Sequence, residues 1–458
     1  MTKRMRNIFT LLLFSLCSIT SFAQDYVGNW IGEIPIPSGK LDVAFKITKN
    51  GNNYESTMDI PKQGLNGAKA ETTKLNDTLL TITFPNFNLE YKGSINDKNE
   101  IIGNLFKGGY PVSLNLKRGE IVLNRPQEPK PPFNYYSEEI TFNTTDNLKL
   151  KGTLTLPKKD GKFPIVIIIS GSGPQNRDGE MFGHKPYYVI ADQLTKNEIG
   201  VLRFDERGVG KSEGNFNTAT IEELSTDIKS AIDYLKTRND INTSKIGLIG
   251  HSIGGIIAPK VASEINDVDF IVLMAAPGIN GDKLMLSQKA TLEKTMGMNE
   301  LQIAQGQELV KGAYDIIVST NLDNQALKDS LNSFYINKYG KMFPEVQRET
   351  LVNQITGNEV LSLIKSKPSK YLEKVNCPVL AINGNKDFQV PSKENLNAIK
   401  DAIEKNGNND VTIIELENLN HLFQECNTGI SSEYSEIEQT ISPDVLDLIT
   451  DWIKKQIK

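Results

Sequence analysis

The sequence predicts a mostly parallel β-sheet flanked by helices, preceded by a small all-β domain. Three observations carry that expectation. Residues 25 to about 123 alternate apolar and polar side chains with a period of two, the pattern of half-buried strands. After a proline-rich stretch the pattern changes to short continuous apolar runs separated by helical periodicities, as strands buried on both faces require. Within this second half, Lys245 to Pro259 reads K-I-G-L-I-G-H-S-I-G-G-I-I-A-P, an apolar run that enters a glycine-flanked turn and leaves on small or apolar residues.

The first residues read as a targeting segment rather than as part of the fold. Lys3, Arg4 and Arg6 give a positive start, Ile8 to Ile19 is a short apolar run, and Ser21-Phe22-Ala23 ends in the small-x-small pattern of a cleavage site. The apolar run falls short of the ~20 residues a spanning helix needs. Leu16 is bulky where a lipoprotein signal before Cys17 wants a small residue. Export, periplasmic or secreted, is therefore expected, with residues 1–23 removed and Gln24 first. The remaining chain of about 435 residues is long for one domain and suggests two or three.

Charge and cysteine content exclude several classes. The net charge of −5 becomes −8 once the three basic residues of the signal are gone, and no basic run occurs. That argues against nucleic acid and anionic membrane surfaces as partners. Cys377 and Cys426 alone make no disulfide framework. With three histidines and no zinc-like spacing, no metal or other cofactor is expected.

The elements follow in order. Leu41, Val43, Phe45 and Ile47 alternate, as do Leu80, Ile82 and Phe84, and later Leu114 and Leu116, with Asn50-Gly51 and Gly108-Gly109 as turns. Residues 24–123 thus read as a small antiparallel barrel or sandwich, a packing or spacer module with no catalytic pattern. Residues 124–137, N-R-P-Q-E-P-K-P-P-F-N-Y-Y-S, form a proline-rich linker that neither a helix nor a central strand can accommodate. From 138 to 458, Leu148, Leu150, Leu154 and Leu156 mark an early antiparallel strand, and Ile165 to Ile169 and Val201 to Phe204 mark buried ones. Thr220 and Glu223 make a capping box ahead of Leu224, Ile228, Ala231, Ile232 and Leu235 at helical spacing. Residues from about 278 to 374 change to long polar helices, read as a cap over the strand ends. Strands resume at Val379 to Ile382 and Val411 to Leu416, and Ser442-Pro443 begins a last helix.

The chemistry gathers at the strand ends. G-H-S-I-G, residues 250–254, has the strand–turn–helix context of a nucleophile elbow with Ser252 at its apex. A serine nucleophile needs a base, and the base an orienting acid. His251 adjoins the serine, points away from it and reads as structural. His184 reads as a packing or solvated histidine ahead of a helix, though it could line a pocket. His421, just past the strand Val411 to Leu416, is the candidate base. Asp387, just past Val379 to Ile382, is the candidate acid, its plainer reading being a turn aspartate; Glu415 and Glu417 lie too close to the strand itself. Two backbone N–H groups are needed for the oxyanion. Ile253, after the nucleophile, and Ser172, in the S-G-S-G loop, are the candidates. G-V-G-K-S, residues 208–212, lacks the first glycine of a P-loop, since Asp205 stands there.

From about Tyr136 onwards the chain resembles α/β-hydrolase-fold serine esterases, and more narrowly the bacterial EstD-like esterases. The resemblance rests on S-G-S-G-P-Q-N-R-D-G (170–179), L-R-F-D-E-R-G-V-G-K-S (202–212), I-G-L-I-G-H-S-I-G-G (246–255) and the loops of Asp387 and His421. It implies Ser252 as nucleophile, Asp387 as acid and His421 as base, with Ile253 departing from the acidic residue relatives often carry. The expectation is an exported carboxylesterase acting on small ester substrates without a cofactor. A thioesterase or serine peptidase on the same triad is the alternative, and a binding or sensing protein on a retired hydrolase fold a more distant one.

Overall fold

The computed structural model describes residues 25–36 and 39–458; the expected signal segment, residues 1–23, lies outside them. The chain divides after Leu123 into two compact units.

The first unit is one antiparallel sheet. Its strands are β1 (Gly28–Ile36), β2 (Gly39–Asn50), β3 (Asn53–Ile60), β4 (Leu65–Lys69) and β5 (Thr72–Asn76). Then come β6 (Leu79–Phe84), β7 (Leu89–Ile95), β8 (Ile101–Lys107), β9 (Tyr110–Ser113) and β10 (Lys117–Arg118). Neighbours pair in the order β10-β1-β2-β3-β5-β6-β7-β8-β9, with β4 beside β3. The segment after β8 joins the two ends of this path. Its first half pairs with β8, Leu116 bridges Ile101, and its second half pairs with β1. The alternating residues Val43, Phe45, Ile47, Leu80 and Ile82 are wholly buried and pack around Trp30 and Tyr91. The inward face is thus filled by side chains.

The second unit holds an eight-stranded sheet. In chain order its strands are β11 (Tyr136–Asn143), β12 (Lys149–Leu156), β13 (Phe163–Ile169) and β14 (Gly200–Phe204). They continue with β15 (Ile241–His251), β16 (Phe270–Met274), β17 (Val379–Gly384) and β18 (Val411–Leu416). The spatial order is β11-β12-β14-β13-β15-β16-β17-β18. β12 runs antiparallel to both neighbours, and every pair from β14 to β18 is parallel. This is the α/β-hydrolase fold. The chain steps from β13 outward to β14, then returns across β13 to β15. At such a reversal the loops leaving β13 and β15 diverge and open a crevice at the carboxyl edge, where ligands bind in this class of sheet.

Alternation within β13 explains the two layers. Ile165, Ile167 and Ile169 face α2 (Ile221–Lys236), α3 (Gly254–Glu264) and α10 (Ser392–Glu404). Val166 and Ile168 face α1 (Pro186–Lys196) and α11 (Pro443–Gln456). Each such side chain contributes about 1.5–3 kcal/mol by leaving water. The capping box of α2 forms, with the Thr220 hydroxyl accepting the Glu223 N–H and the Glu223 carboxylate accepting the Thr220 N–H.

Between β16 and β17 the chain is helical. It runs through α4 (Gly281–Thr295), α5 (Glu300–Ser319), α6 (Asn324–Tyr339), α7 (Glu345–Ile355), α8 (Asn358–Lys365) and the short α9 (Ser369–Leu372). Val310, Tyr314, Leu331, Tyr335, Val352 and Ile364 give this insertion its own core. The proline-rich stretch has no regular structure up to Tyr136, yet it does not hang free. The Arg125 guanidinium donates to the carbonyls of Phe182, Gly183, Ser435 and Ile437, which ties the segment to the second unit.

Cys377 precedes β17 while Cys426 donates its thiol to the Asn418 carbonyl, and both are free. Thiol titration of the denatured chain from Gln24 onward, without reductant, is expected to find two thiols per molecule; finding none would contradict this placement.

Candidate active site

The turn between β15 and α3 holds Ser252 with a φ of 54°, in the left-handed region. For a residue with a Cβ that conformation costs roughly 1–2 kcal/mol, so the surroundings must impose it. They do so by close approach. A Cβ on Gly250 would come within 2.2 Å of the Gly254 carbonyl oxygen, and one on Gly254 within 2.4 Å of the Ile169 carbonyl oxygen. Any other residue at either position would push strand and helix apart. The Ser252 N–H donates to the Met274 carbonyl at 2.9 Å, fixing the turn to β16.

The loop after β13 lies against the serine. A Cβ on Gly171 would sit 3.2 Å from the Ser252 Cβ. Four contacts set the shape of this loop. The Ser170 hydroxyl donates to Glu206 at 2.6 Å, the Gln175 N–H donates to Glu206 at 2.8 Å, and the Gln175 amide donates to the Ser172 carbonyl at 2.9 Å. The Gly171 N–H donates to the Tyr187 hydroxyl at 3.1 Å. The N–H groups of Ser172 and Ile253 are left without a hydrogen-bond partner among the described residues. The Ile253 N–H also belongs to the start of α3, where no side chain caps the helix. A helix start carries partial positive charge, so this corner favours an anion.

The two downstream candidates meet. The His421 Nδ1 lies 2.7 Å from the Asp387 Oδ2, and both side chains are buried. The two oxygens of Asp387 do different work. Oδ1 accepts the N–H groups of Gln389 and Val390 at 2.8 and 2.9 Å, which makes the turn into α10, while Oδ2 faces the imidazole. One carboxylate oxygen thus makes the turn while the other is bonded to His421. The His421 Nε2 and the Ser252 hydroxyl both lack a partner among the described residues. The His421 ring lies 4.9 Å, centroid to centroid, from that of His251, the residue before the serine.

His251 and His184 are both buried and bonded on both ring nitrogens. His251 bridges the Tyr187 hydroxyl and the His421 carbonyl. His184 bonds Thr440 through Nδ1 and the Tyr434 carbonyl through Nε2. Burial pulls their pKa values down, to about 3 for His251 and about 4 for His184, so each stays neutral. His184 is a packing residue, and His251 sits at the site without being placed to take the serine's proton.

Three residues here carry no sequence pattern of their own. Tyr187 comes from α1. Glu206 stands within D-E-R-G, where only its place after a buried strand could have marked it. Glu359 comes from α8 in the insertion, and its carboxylate accepts the Gly173 N–H at 2.6 Å. Burial pushes the Glu206 carboxyl up to about 8 and also raises that of Glu359. The negative charge of Glu359 adds to the rise at Glu206, and neither carboxyl has an ion-pair partner among the described residues.

The match to a family model agrees with the fold. The family model described as serine aminopeptidase, S33, matches residues 184–426. Esterase EstD of Thermotoga maritima is 25% identical over 265 residues, 57% of this chain, and the chain spans 55% of that relative's length. An uncharacterised 31.7 kDa protein from the traX-finO intergenic region of Escherichia coli is 24% identical over 312 residues, 67% of this chain and 95% of its own. Among solved structures, an esterase of Pyrococcus furiosus aligns with a TM-score of 0.43 at 17% identity, over 70% of this chain and 93% of that one.

A carboxyl raised by folding is protonated in the folded chain over a range where the unfolded chain has released the proton. Glu206 therefore lowers stability progressively as pH rises from its ordinary value of 4.5 to about 8. Glu206→Gln removes that loss, and the Ser170 hydroxyl can turn to accept from the new amide. Its melting temperature relative to wild type is expected to climb as pH goes from about 5 to 8. Melting curves showing a pH-independent difference would contradict this account of Glu206.

Proposed function

The chain belongs to the serine aminopeptidase S33 family of α/β hydrolases, and we propose that within it the protein is an exported serine acyl hydrolase, a carboxylesterase of small esters. The observation that carries this reading is the convergence of four loops at one sheet edge. The strained Ser252 turn, the bonded pair His421–Asp387 and two unpartnered N–H groups at Ser172 and Ile253 lie on adjacent strand ends.

In the proposed mechanism the Ser252 hydroxyl attacks the ester carbonyl while the His421 Nε2 takes its proton. Asp387 holds Nδ1–H, fixing the tautomer and stabilising the imidazolium. The developing oxyanion is received by the Ser172 and Ile253 N–H groups at the positive start of α3. His421 then returns the proton to the leaving alcohol, an acyl-Ser252 ester remains, and water attacks it by the same route in reverse. Residues 278–374 serve as a cap; Glu359 supports this, because it carries α8 onto the glycine loop through the Gly173 N–H. The signal-like segment at residues 1–23 supports export, which favours simple esters over acyl-CoA thioesters.

A specific observation favours one second reading, an aminopeptidase on the same triad. The family model's description names that activity. In addition, Glu206 and Glu359 place two carboxyls beside the glycine loop with no ion-pair partner among the described residues, where a substrate ammonium would relieve them. The two readings separate on paired substrates of one acyl group. Turnover of p-nitrophenyl esters well above that of aminoacyl p-nitroanilides is expected, and the reverse order would select the peptidase.

Ser252→Ala is expected to abolish ester hydrolysis, and Asp387→Asn to lower kcat by about 10⁴-fold with an unchanged fold by circular dichroism. Wild-type kcat in Asp387→Asn would mean that another residue orients His421.

A further inference from the structure

We propose that Tyr187 and His251 are positioning residues that lock the glycine loop, the serine turn and the His421 loop into one register through a relay of three hydrogen bonds. The proposal rests on the hydrolase reading above. The Gly171 N–H donates to the Tyr187 hydroxyl at 3.1 Å, that hydroxyl lies 3.2 Å from the His251 Nδ1, and the His251 Nε2 lies 3.0 Å from the His421 carbonyl oxygen.

A single assignment of protons satisfies the relay. A carbonyl oxygen only accepts, so the His251 Nε2 carries the hydrogen. Nδ1 must then accept from the Tyr187 hydroxyl, whose oxygen accepts the Gly171 N–H. Tyr187 and His251 are both buried, and water does not compete. A second proton on His251 would leave the Tyr187 hydroxyl hydrogen with no acceptor.

The titratable groups facing His251 are Tyr187 from α1 and His421, itself bonded to Asp387, with Glu206 acting on Tyr187 from behind. A charged His251 would sit one ring away, 4.9 Å, from the imidazolium that His421 becomes during acyl transfer. The relay therefore does two things. It fixes the distance between the oxyanion donors and the base, and it keeps the ring beside the base uncharged. Neither residue touches the reacting atoms.

Displacement of a catalytic group by about 1 Å costs on the order of 100-fold in rate. With p-nitrophenyl acetate as substrate, Tyr187→Phe and His251→Ala are expected to lower kcat about 10- to 100-fold, with KM within about twofold. His251→Gln, whose amide can both donate to His421 and accept from Tyr187, is expected to recover most of the loss. A merely structural role would lower the melting temperature or the fraction of active protein, not kcat per titrated site. The chain has three histidines, so ¹⁵N spectra of the labelled full chain resolve each ring. His251 is expected as the neutral Nε2–H tautomer throughout pH 5–9. Wild-type kcat in Tyr187→Phe, or titration of His251 within that range, would overturn the relay alone. Absence of ester turnover in wild type would overturn the carboxylesterase reading, and absence of aminoacyl p-nitroanilide turnover as well would also overturn the relay's role in turnover.

Discussion

The backbone of Ser252 is held left-handed between a strand and a helix that nearly touch, and the rest of the second unit is arranged to sustain that strain. A conformation costing roughly 1–2 kcal/mol persists only where its neighbours over-determine it. Here they are Gly250 and Gly254, which permit the approach, and the Met274 carbonyl, which anchors the turn. The burial of β15 and α3 in one apolar layer holds the two arms in place. The strain has a consequence: it lifts the serine side chain out of the strand, half-exposed, while leaving the Ile253 N–H free at the head of α3.

Around this turn the protein buries polar groups whose ordinary charge would be costly there. His251 remains neutral well below its usual range, and the Glu206 carboxyl keeps its proton well above its own. Each is bonded on both of its polar atoms, as buried polar groups must be. In the resulting frame, His421–Asp387 is the one bonded acid–base pair beside the serine among the described residues. Such a frame suits a reaction whose charge develops transiently on an oxyanion and an imidazole, because fixed dipoles need not reorganise as it forms.

Much of this was legible in the sequence, for a physical reason. A strand buried on both faces has to be a continuous apolar run, and a sharp turn between strand and helix has to be rich in glycine, so β13, β15 and the turn announce themselves locally. The order of Ser252, Asp387 and His421 follows because each stands just past such a run. What could not be read depends on tertiary approach. Tyr187 and Glu359 come from helices whose sequences say only that they are helices, and nothing local states that their polar ends reach the glycine loop. Asp387 reads in the sequence as either a turn residue or an acid, whereas in the structure one oxygen makes the turn and the other bonds His421. The proline-rich segment read as a linker, yet Arg125 binds it to four carbonyls of the second unit. A single arginine in an irregular stretch gives no such signal.

The central claim is that Ser252 is a nucleophile activated by the loops converging on it, and covalent capture tests it most directly. Purified protein treated with a fluorophosphonate and examined by intact and peptide mass spectrometry is expected to gain one adduct, on Ser252. Ser252→Ala should gain none and His421→Ala should react far more slowly. An unmodified wild-type protein, or equal labelling of the Ser252→Ala variant, would contradict the account.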